Sequence, residues 1–163
     1  FMAETLGSLV DKLAIKNLRI WHLDEALEDE GTPVSERQEL QAKRDLADSQ
    51  RQELAKEIDG FLGAALRGEV RIRDEKIKMY TNTNVSSSEA IKELGRAVSE
   101  LASRNIKIWH LEDEVRRTDL PDATIVQTKR KIDTTNQERN DLMDKVDEIL
   151  LKHSTTTSRG GNE

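Results

Sequence analysis

The segment "RIWHLDEALE" at residues 19–28 returns 88 positions later as "KIWHLEDEVR" at residues 107–116. The chain holds only two tryptophans and three histidines. Both tryptophans are followed by a histidine, and both pairs lie in the same four-residue segment, Ile-Trp-His-Leu. An ungapped alignment of residues 6–62 with residues 94–150 gives 17 identical pairs among 57 positions. A match of this length predicts an internal duplication, in which one structural unit occurs twice.

Each copy of the repeat has the pattern of a helical hairpin. In the first copy, apolar residues recur every three or four positions, as on one face of a helix, at Leu6, Val10, Leu13, Ile20 and Leu27. The segment "EGTP" at residues 30–33 interrupts this pattern, and Ser35 with Gln38 predicts a capping box at the start of the next helix. We expect that return helix to bury Leu40, Ala47, Leu54, Ile58 and either Leu62 or Phe61.

The second copy repeats the pattern with a break at "TDLP", residues 118–121. Its first helix carries Leu94, Val98, Leu101, Ile108 and Val115, and its return helix carries Ile132, Leu142, Val146 and Ile149. Because one hairpin cannot cover its own apolar stripe, the two should pack together. The sequence therefore predicts an all-α fold, a pseudo-two-fold four-helix bundle built from two duplicated hairpins.

One domain is expected over residues 1–152, with a connection at residues 63–87 that is either extended or a short hairpin. Around the end of that connection, Ser86 with Glu89 predicts the cap of the third helix. The polar residues 153–163 are expected to form a disordered tail.

Composition limits the classes of function. The net charge of −6 argues against nucleic acid as a partner, and the absence of cysteine excludes disulfides and thiolate chemistry. No segment approaches the roughly 18 apolar residues that a membrane span requires. We therefore expect a cytoplasmic protein with no membrane insertion.

Polar residues interrupt each core stripe at two points, Asn17 and Asp24 in the first copy and Asn105 and Glu112 in the second. Antiparallel hairpin geometry places a cation opposite each of them. The expected pairs are Asn17 with Arg51, Asp24 with Lys43, Asn105 with Arg139, and Glu112 with Lys131. Trp21 and Trp109 would lie between these layers as anchors of the inner seam, with His22 and His110 one step round the helix.

Two interpretations of these residues stay open. One is a buried polar network that fixes helix register. The other is a pocket for an anionic, hydroxyl-rich, sugar-type small molecule, with cations for phosphate or carboxylate and tryptophan for stacking. The candidate ligand-binding residues are Asn17, Trp21, His22, Asp24, Lys43, Arg51, Asn105, Trp109, His110, Glu112, Lys131 and Arg139.

Two further classes of function are compatible with the sequence. Carboxylates near the ends of the first and third helices suit a Mg²⁺-dependent enzyme like the helical nucleotide pyrophosphatases. Such an enzyme would use Glu25, Glu28, Asp113 and either Asp45 or Asp133. A structural scaffold acting through protein partners, as a homo-oligomer for example, is the other class. The sequence shows no phosphate loop, zinc pattern or recognisable nucleophile, so it identifies no catalytic residue and predicts no cofactor and no resident metal.

Three segments carry a resemblance to a known family: "DKLAIKNLRIWHL" at residues 11–23, "KIKMYTN" at residues 76–82, and "KIWHLEDEVRRTDLPDATIVQTKRKIDTTNQERNDLMDKVDEIL" at residues 107–150. The chain resembles the bacterial family catalogued as domain of unknown function 4254, with its two halves in reversed order. The resemblance implies a cytoplasmic, all-helical protein that works alongside glycosyltransferases in surface-glycan assembly. It supplies no catalytic residue, but it favours a nucleotide sugar or sugar phosphate as the ligand.

Overall fold

The computed structural model describes residues 4–73, 88 and 90–159. Within these residues the chain forms four α-helices and no strand: α1 Leu6–Glu28, α2 Val34–Leu66, α3 Leu94–Val115 and α4 Asp122–Arg159. α1 and α2 form one hairpin, α3 and α4 form the other, and the two hairpins pack as a four-helix bundle. The all-α class and both hairpins predicted from the sequence are confirmed.

The first helix of each hairpin starts in a different way. At α1, the Thr5 N–H donates to Ser8 Oγ (2.9 Å) and the Ser8 N–H donates to Thr5 Oγ1 (3.2 Å), which is a reciprocal capping box. At α3, the N-cap is Glu93, which makes no side-chain cap hydrogen bond. The cap predicted at Ser86 and Glu89 lies outside the described residues.

The capping box predicted at the start of α2 is not formed. The N-cap of α2 is Pro33, which makes no side-chain cap hydrogen bond, and this places Ser35 and Gln38 inside the helix rather than at its boundary. Arg37 instead closes the turn, because its Nη1 donates to the Leu27 carbonyl oxygen at 2.5 Å. A guanidinium thus binds one of the carbonyls that the end of α1 leaves unpaired.

Two helices run further than the sequence indicated. α2 continues to Leu66, and its C-cap Arg67 is followed by Gly68, whose φ of 74° is a left-handed conformation that glycine adopts without strain. α4 continues to Arg159, into the stretch where we expected a disordered tail. Neither glycine nor proline occurs there before Gly160, and the hydroxyls of Ser154 and Thr155 donate to carbonyls one turn back. Most of the predicted extended or hairpin connection lies outside the described residues.

α1 occupies the centre of the bundle, because it packs against α2, α3 and α4. Its N-terminus lies very close to α4: Gly7 N–H donates to the buried Asp147 Oδ1 at 2.8 Å. The matching residues of the two repeats behave differently, since a Cβ placed on Gly95 would meet no atom of another helix within 4 Å and Asp59 is exposed. α2 and α3 make no packing comparable to that of α1 and α4 among the described residues. The two-fold symmetry that the repeat suggests is therefore interrupted at the α2–α3 side.

The core lies mainly at the end of the bundle where α1 and α3 begin. It contains Leu6, Ala65, Ile72, Ile91, Ala97, Leu101, Leu142, Val146, Ile149 and Leu150. The return-helix residues predicted for the second hairpin are buried, whereas in α2 only Ala47 and Ala65 are. Leu94, predicted in the core, is 39% exposed. Of the two alternatives predicted in α2, Leu62 is 37% exposed and Phe61 packs partly buried against the core. Burial is thus concentrated in the second hairpin and in the start of α1.

Candidate functional site

A groove runs between α1 and α3 with a volume of about 630 Å³, and we call it the α1–α3 groove. Its walls are mostly apolar, with a few polar side chains among them. The lining residues are Val10, Leu13, Ala14, Asn17, Leu18, Trp21, His22 and Glu25 from α1, and Val98, Ala102, Ile106 and His110 from α3. Four of the residues predicted to bind a ligand, Asn17, Trp21, His22 and His110, therefore lie together in this groove.

The two Trp-His pairs are used differently. The ring of His22 stacks on that of Trp109, with centroids 4.4 Å apart and planes 5° from parallel. His22 Nδ1 also lies 3.0 Å from Glu25 Oε2, which fixes the orientation of the imidazole. Trp109 is half-buried, as expected of a seam anchor, but Trp21 is 63% exposed at the lip of the groove. The prediction that both tryptophans anchor the inner seam is correct for Trp109 and wrong for Trp21.

One of the four predicted polar layers is present in the bundle. Asn105, 4% exposed, accepts a 3.5 Å hydrogen bond from Arg139 Nη1 and donates at 2.8 Å to Oδ1 of the buried Asp11. Arg139 Nε lies 4.0 Å from the same carboxylate oxygen and has no hydrogen-bond partner within the described part of the chain. The three side chains link α1, α3 and α4 through a polar cluster in which Asp11 and Asn105 are buried and the Arg139 side chain is 25% exposed. This arrangement fits the interpretation that the polar residues fix helix register.

The corresponding layer in the first hairpin does not form. Asn17 is exposed, and its Nδ2 donates to the Leu13 carbonyl oxygen at 3.1 Å. Arg51 turns back along its own helix to Asp48, with Nη2 2.5 Å from Oδ1. That bond is the main reason why the pKa of Asp48 lies below its ordinary value. The layer lacks a carboxylate because Ser99 occupies the position in the second repeat that matches Asp11 in the first.

The predicted pair of Asp24 with Lys43 is displaced by one residue. Asp24 Oδ1 accepts a 2.9 Å hydrogen bond from Arg44 Nε, and this bond raises the pKa of Arg44 above its ordinary value. Lys43 lies on the solvent side of α2 and pairs with Glu39 at 2.6 Å. One residue along a helix corresponds to a rotation of about 100°, so the neighbouring cation faces α1 instead of the predicted one.

The predicted pair of Glu112 with Lys131 is also absent from the ion pairs of the described residues. Lys131 instead lines a shallow pocket of about 210 Å³ between α3 and α4, which we call the basic pocket. Its residues are Lys107, Arg130, Lys131, Thr134 and Thr135. None of its three cations has an ion-pair partner within 4.0 Å among the residues that the structure describes. A pocket with three uncompensated cations attracts an anion.

The basic pocket was not found from the sequence, apart from Lys131. Its threonine hydroxyls donate to carbonyls one turn back, Thr134 Oγ1 to Arg130 at 3.1 Å and Thr135 Oγ1 to Lys131 at 2.7 Å. The matching positions in the first repeat are Leu46 and Ala47. The pocket threonines are therefore not among the residues that the two copies share, and only the differences between the copies point to them. Asp11, which matches Ser99, is indicated by a difference of the same kind.

The carboxylates considered for a Mg²⁺ site do not converge. Among the described residues, no group of three or more aspartate, glutamate or histidine side chains is arranged to hold a metal ion. Glu25, Glu28, Asp45, Asp113 and Asp133 are all exposed and lie on four different helices.

Fold and sites define an all-helical bundle with an open apolar groove and a separate basic pocket. The chain belongs to the family described as Protein of unknown function (DUF4254), whose model matches residues 1–73 and 95–162. Neither the curated proteins nor the solved structures gave a match to the chain. Of the described helices, none combines the length and the apolar character needed to cross a bilayer.

Proposed function

We propose that this protein is a binding or accessory module for an anionic, hydroxyl-bearing small molecule, and that its anionic group binds in the basic pocket. The observation that carries the proposal is the convergence of Lys107, Arg130 and Lys131 in a chain whose net charge is −6. All three cations are exposed and line one pocket, so an anion that enters it is attracted by each of them.

The residue types in the basic pocket suit a phosphate group. Lysine ammonium groups supply point charges, and the Arg130 guanidinium can donate two parallel hydrogen bonds to phosphate oxygens. The pocket is shallow, at about 210 Å³, so it holds the anionic part of a larger ligand rather than the whole of it. A sugar phosphate or nucleotide sugar has this chemistry, with hydroxyls that extend beyond the phosphate. The resemblance to a family associated with surface-glycan assembly supports the same ligand class and a cytoplasmic place of action.

The proposal is tested by titrating the protein with inorganic pyrophosphate and with a panel of nucleotide sugars, using isothermal calorimetry. Double replacement R130A/K131A should weaken binding by about 10-fold or more, because each charge-assisted hydrogen bond contributes about 1.5–3 kcal/mol. The matched control is Lys43→Ala, which removes the lysine at the corresponding position of the first repeat, where no such pocket lies. Affinity should also fall with added salt.

Two results would decide against the proposal. Absence of any heat with pyrophosphate and nucleotide sugars at millimolar concentration would refute an anion site. Equal losses in the R130A/K131A and Lys43→Ala variants would show a general charge effect rather than a pocket. Adding Mg²⁺ and following phosphate release tests the enzyme alternative in the same samples, since a pyrophosphatase would hydrolyse the nucleotide sugar only with the metal.

A further inference from the structure

The α1–α3 groove is lined by residues that occupy matching positions in the two repeats. The four α3 residues are Val98, Ala102, Ile106 and His110, and each has its counterpart on α1, namely Val10, Ala14, Leu18 and His22. The groove is therefore built from the same sequence pattern on both walls. It remains open to solvent because α2 packs against α1 and makes no extended packing with α3.

An exposed tryptophan, Trp21, forms part of the lining of this open groove. Trp21 is 63% exposed and Ile106 is 46% exposed, and both belong to its lining. We infer that a second copy of this chain occupies the α1–α3 groove, with Trp21 of each copy inserted into the groove of the other. An isologous dimer of this kind joins one surface to the same surface of the second copy, so a protruding side chain and a hollow must lie on the same face. Trp21 and the α1–α3 groove meet this condition, because Trp21 lines the groove.

The size of the face agrees with the requirements of a stable dimer. The lining on α1 runs from Val10 to Glu25, which at about 1.5 Å per residue is about 22 Å long. Two helices abreast, each about 10 Å across, give a flat footprint of about 450 Å² per copy, or about 900 Å² for the pair. Interdigitating side chains raise the accessible area above this flat value. The pair therefore comes close to the roughly 1,000 Å² at which specific interfaces begin.

Charge favours this face over the rest of the surface. The whole chain carries a net charge of −6, so two copies repel each other across most orientations. The groove lining contains one carboxylate, Glu25, and that group is bonded to His22 at 3.0 Å. Two such faces can meet with little like-charge repulsion and with an exposed tryptophan, a residue type enriched at binding hot spots.

Sedimentation velocity on the full chain tests the inference. The wild-type protein should sediment with twice the 18.5 kDa mass of one chain. Trp21→Glu and Ile106→Glu should each raise the dimer dissociation constant by about 30-fold or more, the loss typical of a hot spot. Trp21 is 63% and Ile106 46% exposed in one copy, and neither is a core residue, so the variants should keep the wild-type circular dichroism spectrum. The control is Val126→Glu, since Val126 is 49% exposed on α4, close to the exposure of Ile106, and lies outside the groove lining.

Three outcomes would overturn the inference. The first is a wild-type monomer up to about 100 µM, where even a micromolar interface is saturated. The second is a dimer that both groove variants leave intact, and the third is an equal loss with Val126→Glu. None of the basic-pocket residues lines the groove, so failure of the dimer and failure of anion binding are separate results.

Discussion

Replacing Gly7 with alanine should destabilise the protein, whereas the same change at Gly95 should not. Both glycines are the second residue of a helix and occupy matching positions in the two repeats. A Cβ at Gly7 would meet the Met143 carbonyl group well inside van der Waals contact, with the carbonyl carbon 2.9 Å away. A Cβ at Gly95 would meet nothing within 4 Å. Both variants share the intrinsic effect of replacing glycine by alanine near a helix start. The difference between their stabilities therefore reports the α1–α4 contact.

The magnitude follows from three contributions to the free energy of unfolding. Overpacking against a backbone group costs about 1–3 kcal/mol, and weakening the charge-assisted bond from Gly7 to Asp147 costs up to about 1.5–3 kcal/mol more. The higher helix propensity of alanine offsets up to about 1 kcal/mol of this loss. Gly7→Ala should therefore lose about 2 kcal/mol, and Gly95→Ala should gain up to about 1 kcal/mol. In a chain of this size, about 2 kcal/mol lowers Tm by about 4–8 °C.

Urea unfolding followed by circular dichroism at 222 nm, with thermal melts beside it, measures both variants. Equal Tm values for Gly7→Ala and Gly95→Ala would refute the close approach of α1 to α4. A stabilised Gly7→Ala would refute it more strongly, because the alanine would then have room. If the chain forms a dimer, its apparent stability depends on the protein concentration, so both variants are measured at the same concentration.

Two more predictions concern charged groups. Asp11→Ala should cost about 1–3 kcal/mol in urea unfolding, because it leaves the buried Asn105 amide without its acceptor and removes the carboxylate beside Arg139. Ser99→Ala, at the matching exposed position, should change the free energy of unfolding by less than about 0.5 kcal/mol, and equal effects would contradict the buried cluster. Hydrogen bonding from Lys145 holds the pKa of Glu148 below its ordinary 4.5, so the folded state binds a proton less readily than the unfolded state. The resulting stability is complete above pH 4.5 and is lost as pH falls through the folded pKa. Glu148→Gln should therefore reduce the drop in urea midpoint below that pH, and an unchanged drop would count against this assignment.

The helices were predictable because their signals are local. Apolar spacing, together with the "EGTP" and "TDLP" breaks, located both hairpins and their turns. The predicted capping box at Ser35 failed because Pro33 takes the N-cap position, which a spacing rule does not weigh. The end of α4 was missed because polar residues were taken as disordered, although no helix-breaking residue precedes Gly160.

The site was harder to predict because it depends on how the hairpins meet. Hairpin geometry placed Asn105 opposite Arg139 correctly, but the third member of that cluster, Asp11, comes from the other hairpin. Treating the copies as equivalent led to the expectation of a second layer at Asn17 and Arg51, which lacks such a carboxylate. The predicted partner of Asp24 was Lys43, and the observed partner is the next residue, Arg44, because the facing position was placed one residue too early.

The packing of α2 has a consequence for how the chain folds. This helix spans Val34–Leu66, yet its only buried residues are the two alanines Ala47 and Ala65. Helices gain most of their stability from a packed face, so α2 belongs to the low-stability end of the molecule. Its backbone amides should therefore exchange with deuterium through local opening, while those beside Leu101 and Val146 wait for global unfolding. If folding reverses this order of opening, the α3–α4 hairpin forms first, α1 packs against it next, and α2 packs last.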